Sequence, residues 1–178
     1  MKKILFSLVA LLAVMTVQAQ SICGSWQSMQ PEVKNLANGS YSTFSDIYTF
    51  NEDGTFTSAA DITYSTKPSQ TKEREVALAA RVKGTYKLEG DRMTMKVDFN
   101  SLQLELVSIS ENGKIVEAPE MVADINRKFN NDEAKAKAAK GFNNDTYIVQ
   151  FNANGTMLQL TDKNGKTETL TRIATIKK

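Results

Sequence analysis

The sequence predicts a mainly β protein, a single antiparallel up-and-down β-barrel of about nine strands with one helical segment near residues 119–140. Three observations carry that expectation. Of nine glycines, five follow Asn or Asp, at Asn38-Gly39, Asp53-Gly54, Asn112-Gly113, Asn154-Gly155 and Asn164-Gly165. Such pairs supply the positive φ angles that two-residue type I′ hairpin turns need. Between these turns, apolar and polar residues alternate with the period of two that marks strands with one wet face. The chain has no His and a single Cys in 178 residues, so neither a zinc site built on His or on two or more Cys nor an internal disulfide can supplement its core.

The first element is not part of the fold. Lys2-Lys3 precede an apolar run from Ile4 to Val14, and Val17-Gln18-Ala19 offers small residues for cleavage before Gln20. Residues 1–19 are therefore expected to be an export signal and residues 20–178 a single domain. The apolar run falls well short of the ~20 residues that a membrane-spanning helix needs, and no later segment approaches that length. The compartment expected is the periplasm or the medium. Lipidation at Cys23 is not expected, because the bulky Ile22 precedes it where a small residue is wanted.

The strands follow in order. Tyr48-Thr49-Phe50 leads into the Asp53-Gly54 turn, and Phe56, Ala60, Ile62 and Tyr64 follow it. Val76, Leu78, Ala80, Val82, Gly84, Tyr86 and Leu88 share one parity, against Arg81, Lys83, Thr85 and Lys87 on the other. A tight turn at Glu89-Gly90-Asp91 leads to Met93, Met95, Val97 and Phe99. Leu102, Leu104 and Leu106 then continue until the phase slips to Val107 and Ile109, which predicts a β-bulge. Pro119 opens the helical segment, with Met121, Val122, Ile125 and Phe129 at helical spacing and Gly141 as its stop. Three further strands follow, around Val149-Gln150-Phe151, Leu158-Gln159-Leu160 and Leu170. The stretch Val149–Met157 echoes Tyr48–Phe56, one hairpin solution used twice.

Gly24-Ser25-Trp26 at the start of the first strand is matched by Thr171-Arg172-Ile173 in the last, with Phe50–Phe56 reading Phe-x-x-Asp-Gly-Thr-Phe and a Gly84-Thr85-Tyr86 strand between. In this ordered combination the chain resembles the lipocalins (calycin-type barrels), and more narrowly the small exported lipocalin-like proteins of Bacteroidetes. The resemblance implies a lipocalin-like barrel in which Trp26 plugs the closed end and Arg172 covers its ring in a cation–π contact. It departs from lipocalins in placing three strands, not one, after the helix.

The composition excludes several functions. The formal charge is +2, and without residues 1–19 it is zero, with 20 basic and 20 acidic side chains. A nucleic-acid surface needs a basic footprint that this chain lacks. Lacking His, it has no His-based triad or general base. The acids lie in polar stretches beside Lys or Arg, with none marked inside an apolar face as a general acid requires, so no enzyme is expected. Asp162-Lys163-Asn164-Gly165 is a hairpin turn rather than a Ca²⁺ loop, and neither a metal nor a cofactor is implied. What remains is the lumen. Tyr48, Phe50, Ile62, Tyr64, Val82, Tyr86, Met95, Leu104 and Phe151 share the inward parity, and their mix of apolar bulk and hydroxyls suits a small hydrophobic or amphipathic ligand. Its mouth is expected opposite Trp26, among the turns and the helical segment. If the lumen is filled, the alternative is a protein-interaction module, an inhibitor or an envelope-assembly component with an envelope protein as partner.

Overall fold

A computed structural model describes residues 21–36, 39–69, 72–116, 119–133, 135–136 and 146–173; the expected export signal, Gln20, Asn38 and the helix stop at Gly141 lie outside the described residues. The strands are β1 (Gly24–Ser28), β2 (Glu32–Asn35), β3 (Tyr41–Phe50), β4 (Thr55–Ser69), β5 (Lys72–Glu89), β6 (Arg92–Glu111), β7 (Lys114–Ile115), β8 (Thr146–Phe151), β9 (Met157–Thr161) and β10 (Thr167–Ile173), with helix α1 (Pro119–Phe129) between β7 and β8. All ten form one antiparallel sheet in the order β1-β10-β9-β8-β6-β5-β4-β3-β2, and β1 also pairs with β3, so the sheet closes on itself. The closed ring is β1, β10, β9, β8, β6, β5, β4 and β3. β2 prolongs β1 along the same edge of β3, and the two-residue β7 adds to β6.

The hairpins form where the Asn-Gly and Asp-Gly pairs lie, but mostly not as two-residue type I′ turns. Among the described residues only Asn112-Gly113, at φ 49° and 75°, puts both central residues in the left-handed region. At Gly54 and Gly155 the glycine alone is left-handed, and the preceding side chain folds back onto the chain. Asp53 Oδ1 accepts from the amide and hydroxyl of Thr55, at 2.9 and 2.6 Å. Asn154 Oδ1 does the same for Thr156, at 3.3 and 2.6 Å. Asp and Asn side chains that imitate a turn in this way compete with the positive φ they would otherwise adopt. The two echoing segments thus share the side-chain-capped turn but not the register: Phe50 pairs with Phe56, whereas Phe151 pairs with Leu158, one residue beyond the counterpart of Phe56.

The barrel is lopsided. Strands β4, β5 and β6 run to 15, 18 and 20 residues, whereas β8, β9 and β10 have 6, 5 and 7. β8 pairs with β6 only over Arg92–Thr94, which leaves the rest of β6 without that neighbour. Helix α1 covers this edge. Asn130 accepts from the Leu104 amide at 2.9 Å and donates to the Leu104 carbonyl at 2.6 Å, as a neighbouring strand would, and Asn126 accepts from the Leu106 amide at 2.6 Å. An uncovered edge of this length would be a template for another chain.

β6 bends twice to stay in phase with β5. Four of its residues, Phe99–Leu102, lie opposite Val82 alone, and Ser101 Oγ there accepts the Lys83 amide at 2.8 Å. This excursion carries the inward parity from Met93, Met95 and Val97 to Leu102, Leu104 and Leu106. The second shift falls at Val107, where the phase slip predicts it; Val107 itself points out, 61% exposed, between buried Leu106 and Ile109.

Two core clusters result. One gathers Ile22, Trp26, Phe50, Phe56, Met93, Met95, Val149, Leu158, Leu160 and Leu170 at the closed end. The other packs Leu78, Leu106 and Ile109 with Ile62, Tyr64, Val76, Val116 and Val122 of α1. Trp26 is fully buried, its indole N–H donates to the Ile22 carbonyl at 2.6 Å, and the Arg172 guanidinium lies 4.4 Å over its ring. The same guanidinium donates to the carbonyls of Ser21 and Cys23, at 2.6 and 3.1 Å, so the chain before β1 is folded across the closed end. Gly24 makes this turn at φ 120°, and a Cβ there would stand 3.2 Å from Arg172 Nη1. At Gly84 the requirement is close approach: a Cβ would stand 2.5 Å from the Phe56 ring.

Trp26→Ala removes the largest side chain of the closed-end core and is expected to cost ~3–5 kcal/mol in urea unfolding. Arg172→Ala, which loses packing and the cation–π contact, is expected to cost less, ~1–2 kcal/mol. An Arg172→Ala variant as unstable as Trp26→Ala would contradict this ranking. Asn130→Ala strips the Leu104 amide and carbonyl of their partners and is expected to cost ~1–2 kcal/mol and to promote self-association on gel filtration; an unchanged midpoint and a monomeric profile would show that the edge needs no cover.

Candidate functional site

The alternation that builds the strands aims one side-chain set inward, and between the two core clusters this set does not meet. A cavity of about 1250 Å³ remains there, open to solvent on one side. Its wall is largely aliphatic and aromatic, including Phe44, Val76, Leu78, Val97, Leu102 and Leu160. Exposed Met29, Gln30, Lys166 and Thr167 mark the rim, at the β1–β2 junction and the β9–β10 turn.

Of the nine lumen residues expected from parity, Tyr48, Ile62, Tyr64, Val82, Met95 and Leu104 line this cavity. Phe50, Tyr86 and Phe151 do not, although they point inward. They stand at the closed end, in the Trp26 core: Phe151 packs 6.0 Å from Trp26, and the Tyr86 ring meets Phe50 edge-on at 5.1 Å. The Tyr86 hydroxyl is spent on the Asn51 carbonyl at 2.7 Å, with the free, half-buried Cys23 Sγ 3.5 Å away. Parity fixes a face of the strand, not a height along the barrel. The rim lies among turns, and α1 reaches the β6 edge through Asn126 and the second cluster through Val122.

The charged part of the wall departs furthest from expectation, because carboxyls do sit on the inner face. On β3, Phe44, Asp46 and Tyr48 share one parity and all reach the cavity. On β10, Glu168 shares parity with Leu170 and Arg172. Both acids are half-buried. Burial, reinforced by the nearby charges of Glu168 and Glu32, pushes the Asp46 carboxyl up to about 6, against a weaker opposing pull from Lys34. Burial also raises Glu168, in spite of the 2.6 Å hydrogen bond that Ser28 Oγ donates to it. Ser28 in turn accepts the Asp46 amide at 3.4 Å.

Glu32 behaves oppositely. Lys166 donates to it at 2.6 Å and holds its carboxyl below the usual range, and Lys34 stands 3.7 Å away with its ammonium over the Phe44 ring. Asp46 makes no side-chain ion pair with any described residue. The Tyr48 hydroxyl, pushed well up by burial, likewise has no hydrogen-bond partner among the described residues. The Asp162 carboxylate is occupied by the amides of Asn164 and Lys166 in its own turn, at 2.8 and 2.9 Å. Among the described residues no group of three His, Cys, Asp or Glu is placed to hold a metal ion.

The Asp46 shift has a thermodynamic consequence. The folded chain binds this proton more tightly than the unfolded one, so the carboxylate destabilises the fold above about pH 6, and the penalty fades as pH falls toward 3.8. Asp46→Asn is therefore expected to stabilise the protein by ~1–2 kcal/mol at neutral pH, with a gain that shrinks to nothing near pH 4. Urea unfolding of both proteins across that range checks this, and a pH-independent difference would contradict it.

In comparisons with known proteins, no family model matches the chain and no curated protein matches it significantly.

Proposed function

We propose that this is an exported, non-catalytic protein of lipocalin-like type that holds a small hydrophobic or amphipathic molecule in its lumen. The observation that supports this most is the open, largely apolar cavity of about 1250 Å³ between two packed clusters. Ligand pockets run to roughly 300–1,000 Å³, so the space suffices for one elongated guest. Trp26 under Arg172 at the first-to-last strand seam, the pairing that carries the lipocalin resemblance, supports the type. A binding role rather than catalysis is favoured because Ser28 is the only hydroxyl bonded to the inward carboxyls among the described residues, and it already accepts the Asp46 amide. The short apolar run with its cleavage site supports export, and no described helix is long and apolar enough to cross a membrane.

The neutral apolar fluorophore N-phenyl-1-naphthylamine tests the reading. It is expected to bind saturably, one per chain, with a blue-shifted emission. Ala60→Trp, which fills the lumen from β4, is expected to weaken it by about tenfold or more, one large side chain's worth of contact, while the fold survives. Failure of the wild type to bind any apolar probe would favour the rival, a module that engages an envelope protein through its loops and strand edges.

A further inference from the structure

An apolar cavity with charged groups in its wall selects among guests by charge, and here the wall is out of balance. Glu32, Asp46 and Glu168 face Lys34 and Lys166 at the mouth. Both lysines converge on Glu32, and Lys34 also lies over Phe44. Asp46 and Glu168 are left without an ion-pair partner among the described residues, on adjoining sides of the opening. Arg81, the remaining cation of the wall, lies two strands from Asp46 on β5. Next to Asp46 on the same strand, the Tyr48 hydroxyl has no partner among the described residues.

Resting on the lumen reading above, we infer that the occupant carries a cationic head, an amine or ammonium, on an apolar body, and that Asp46, Glu168 and Tyr48 receive that head. Each kind of guest meets this wall differently. An anionic head would be seated against two like charges. A neutral guest would cover the carboxylates without pairing them, and a buried, unpaired charge is costly. An ammonium brings a compensating charge and three N–H donors, which matches two carboxylates and one phenolic oxygen. The hydrogen bonds formed would be charge-assisted and thus among the stronger ones available. Burial and mutual repulsion hold the two acids in a state that a cation relieves, so part of the binding free energy is stored in the empty wall. Binding is also linked to pH: below about 6, where Asp46 takes up its proton, the cation loses one of its partners, while Glu32 stays ionised against Lys34 and Lys166.

Competition against bound N-phenyl-1-naphthylamine tests this with three probes of one chain length, decylammonium, decanol and decanoate. At neutral pH decylammonium is expected to displace the fluorophore at least about tenfold more effectively than decanol, with decanoate weakest. Asp46→Asn and Glu168→Gln, separately, are expected to remove most of the advantage of the ammonium, in part by improving decanol, and to keep saturable fluorophore binding, which also shows that each variant is folded. The advantage is expected to fade below about pH 6 in the wild type, although decylammonium keeps its charge there. Equal displacement by all three probes, or a preference for decanoate, overturns the cationic head while leaving the lumen reading intact. Absence of fluorophore binding to the wild type overturns both.

Discussion

The structure hangs on β1. It is hydrogen-bonded on both sides, to β10 and to β3, and it alone joins the last strand to the early ones. Trp26 sits at the middle of this seam, opposite Arg172 on one side and Tyr48 on the other. A fully buried indole cannot leave its N–H unpaired without cost, so the chain before β1 turns back at Gly24 and offers the Ile22 carbonyl. Arg172 covers one face of the ring and binds two further carbonyls of the returning segment. One residue thus closes the sheet, fills the closed end and anchors the segment that enters the fold.

The lumen follows from that closure. A core anchored at Trp26 can reach only as far as its side chains, and strands of 15 to 20 residues extend well beyond it. The far end is held instead by a second cluster beneath α1. Between the two, small residues such as Ser58, Ala60 and Ala80 occupy inward positions of β4 and β5, so the walls do not meet. The unpaired stretch of β6 and its bulges give the barrel its irregular side, and Asn126 of α1 with Asn130 just after it replaces the missing strand there. The same open space strands Asp46 and Glu168 with neither a full hydration shell nor a counter-ion, which is the physical source of their raised pKa values.

Much of this is legible in the sequence because alternation and turn chemistry are local. The hairpin positions, the bulge at Val107, the helical segment that opens at Pro119 and the three strands after it all follow from residue spacing. Turn type was less legible: Asp53 and Asn154 use their side chains as backbone mimics, which keeps them out of the left-handed region. Depth along the barrel has no local signal at all. Phe50, Tyr86 and Phe151 have the parity of Tyr48 and Met95, and only the stagger of neighbouring strands puts them beneath the cavity rather than around it. Asp46 and Glu168 carry the right parity too. Their charge argues for solvent when taken alone, whereas the pattern Phe44, Asp46, Tyr48, Phe50 places the acid on the inner face. In β3 the period outranks the residue type.

The central claim is that the barrel is closed at Trp26 and keeps a lumen for a guest. Native mass spectrometry of the protein purified from its own host tests it most directly, because a bound molecule is observed without being guessed. The account predicts one small non-covalent adduct per chain that is released on activation and is apolar in body. A bare chain bound in fixed ratio to another protein, with no small adduct, would contradict it.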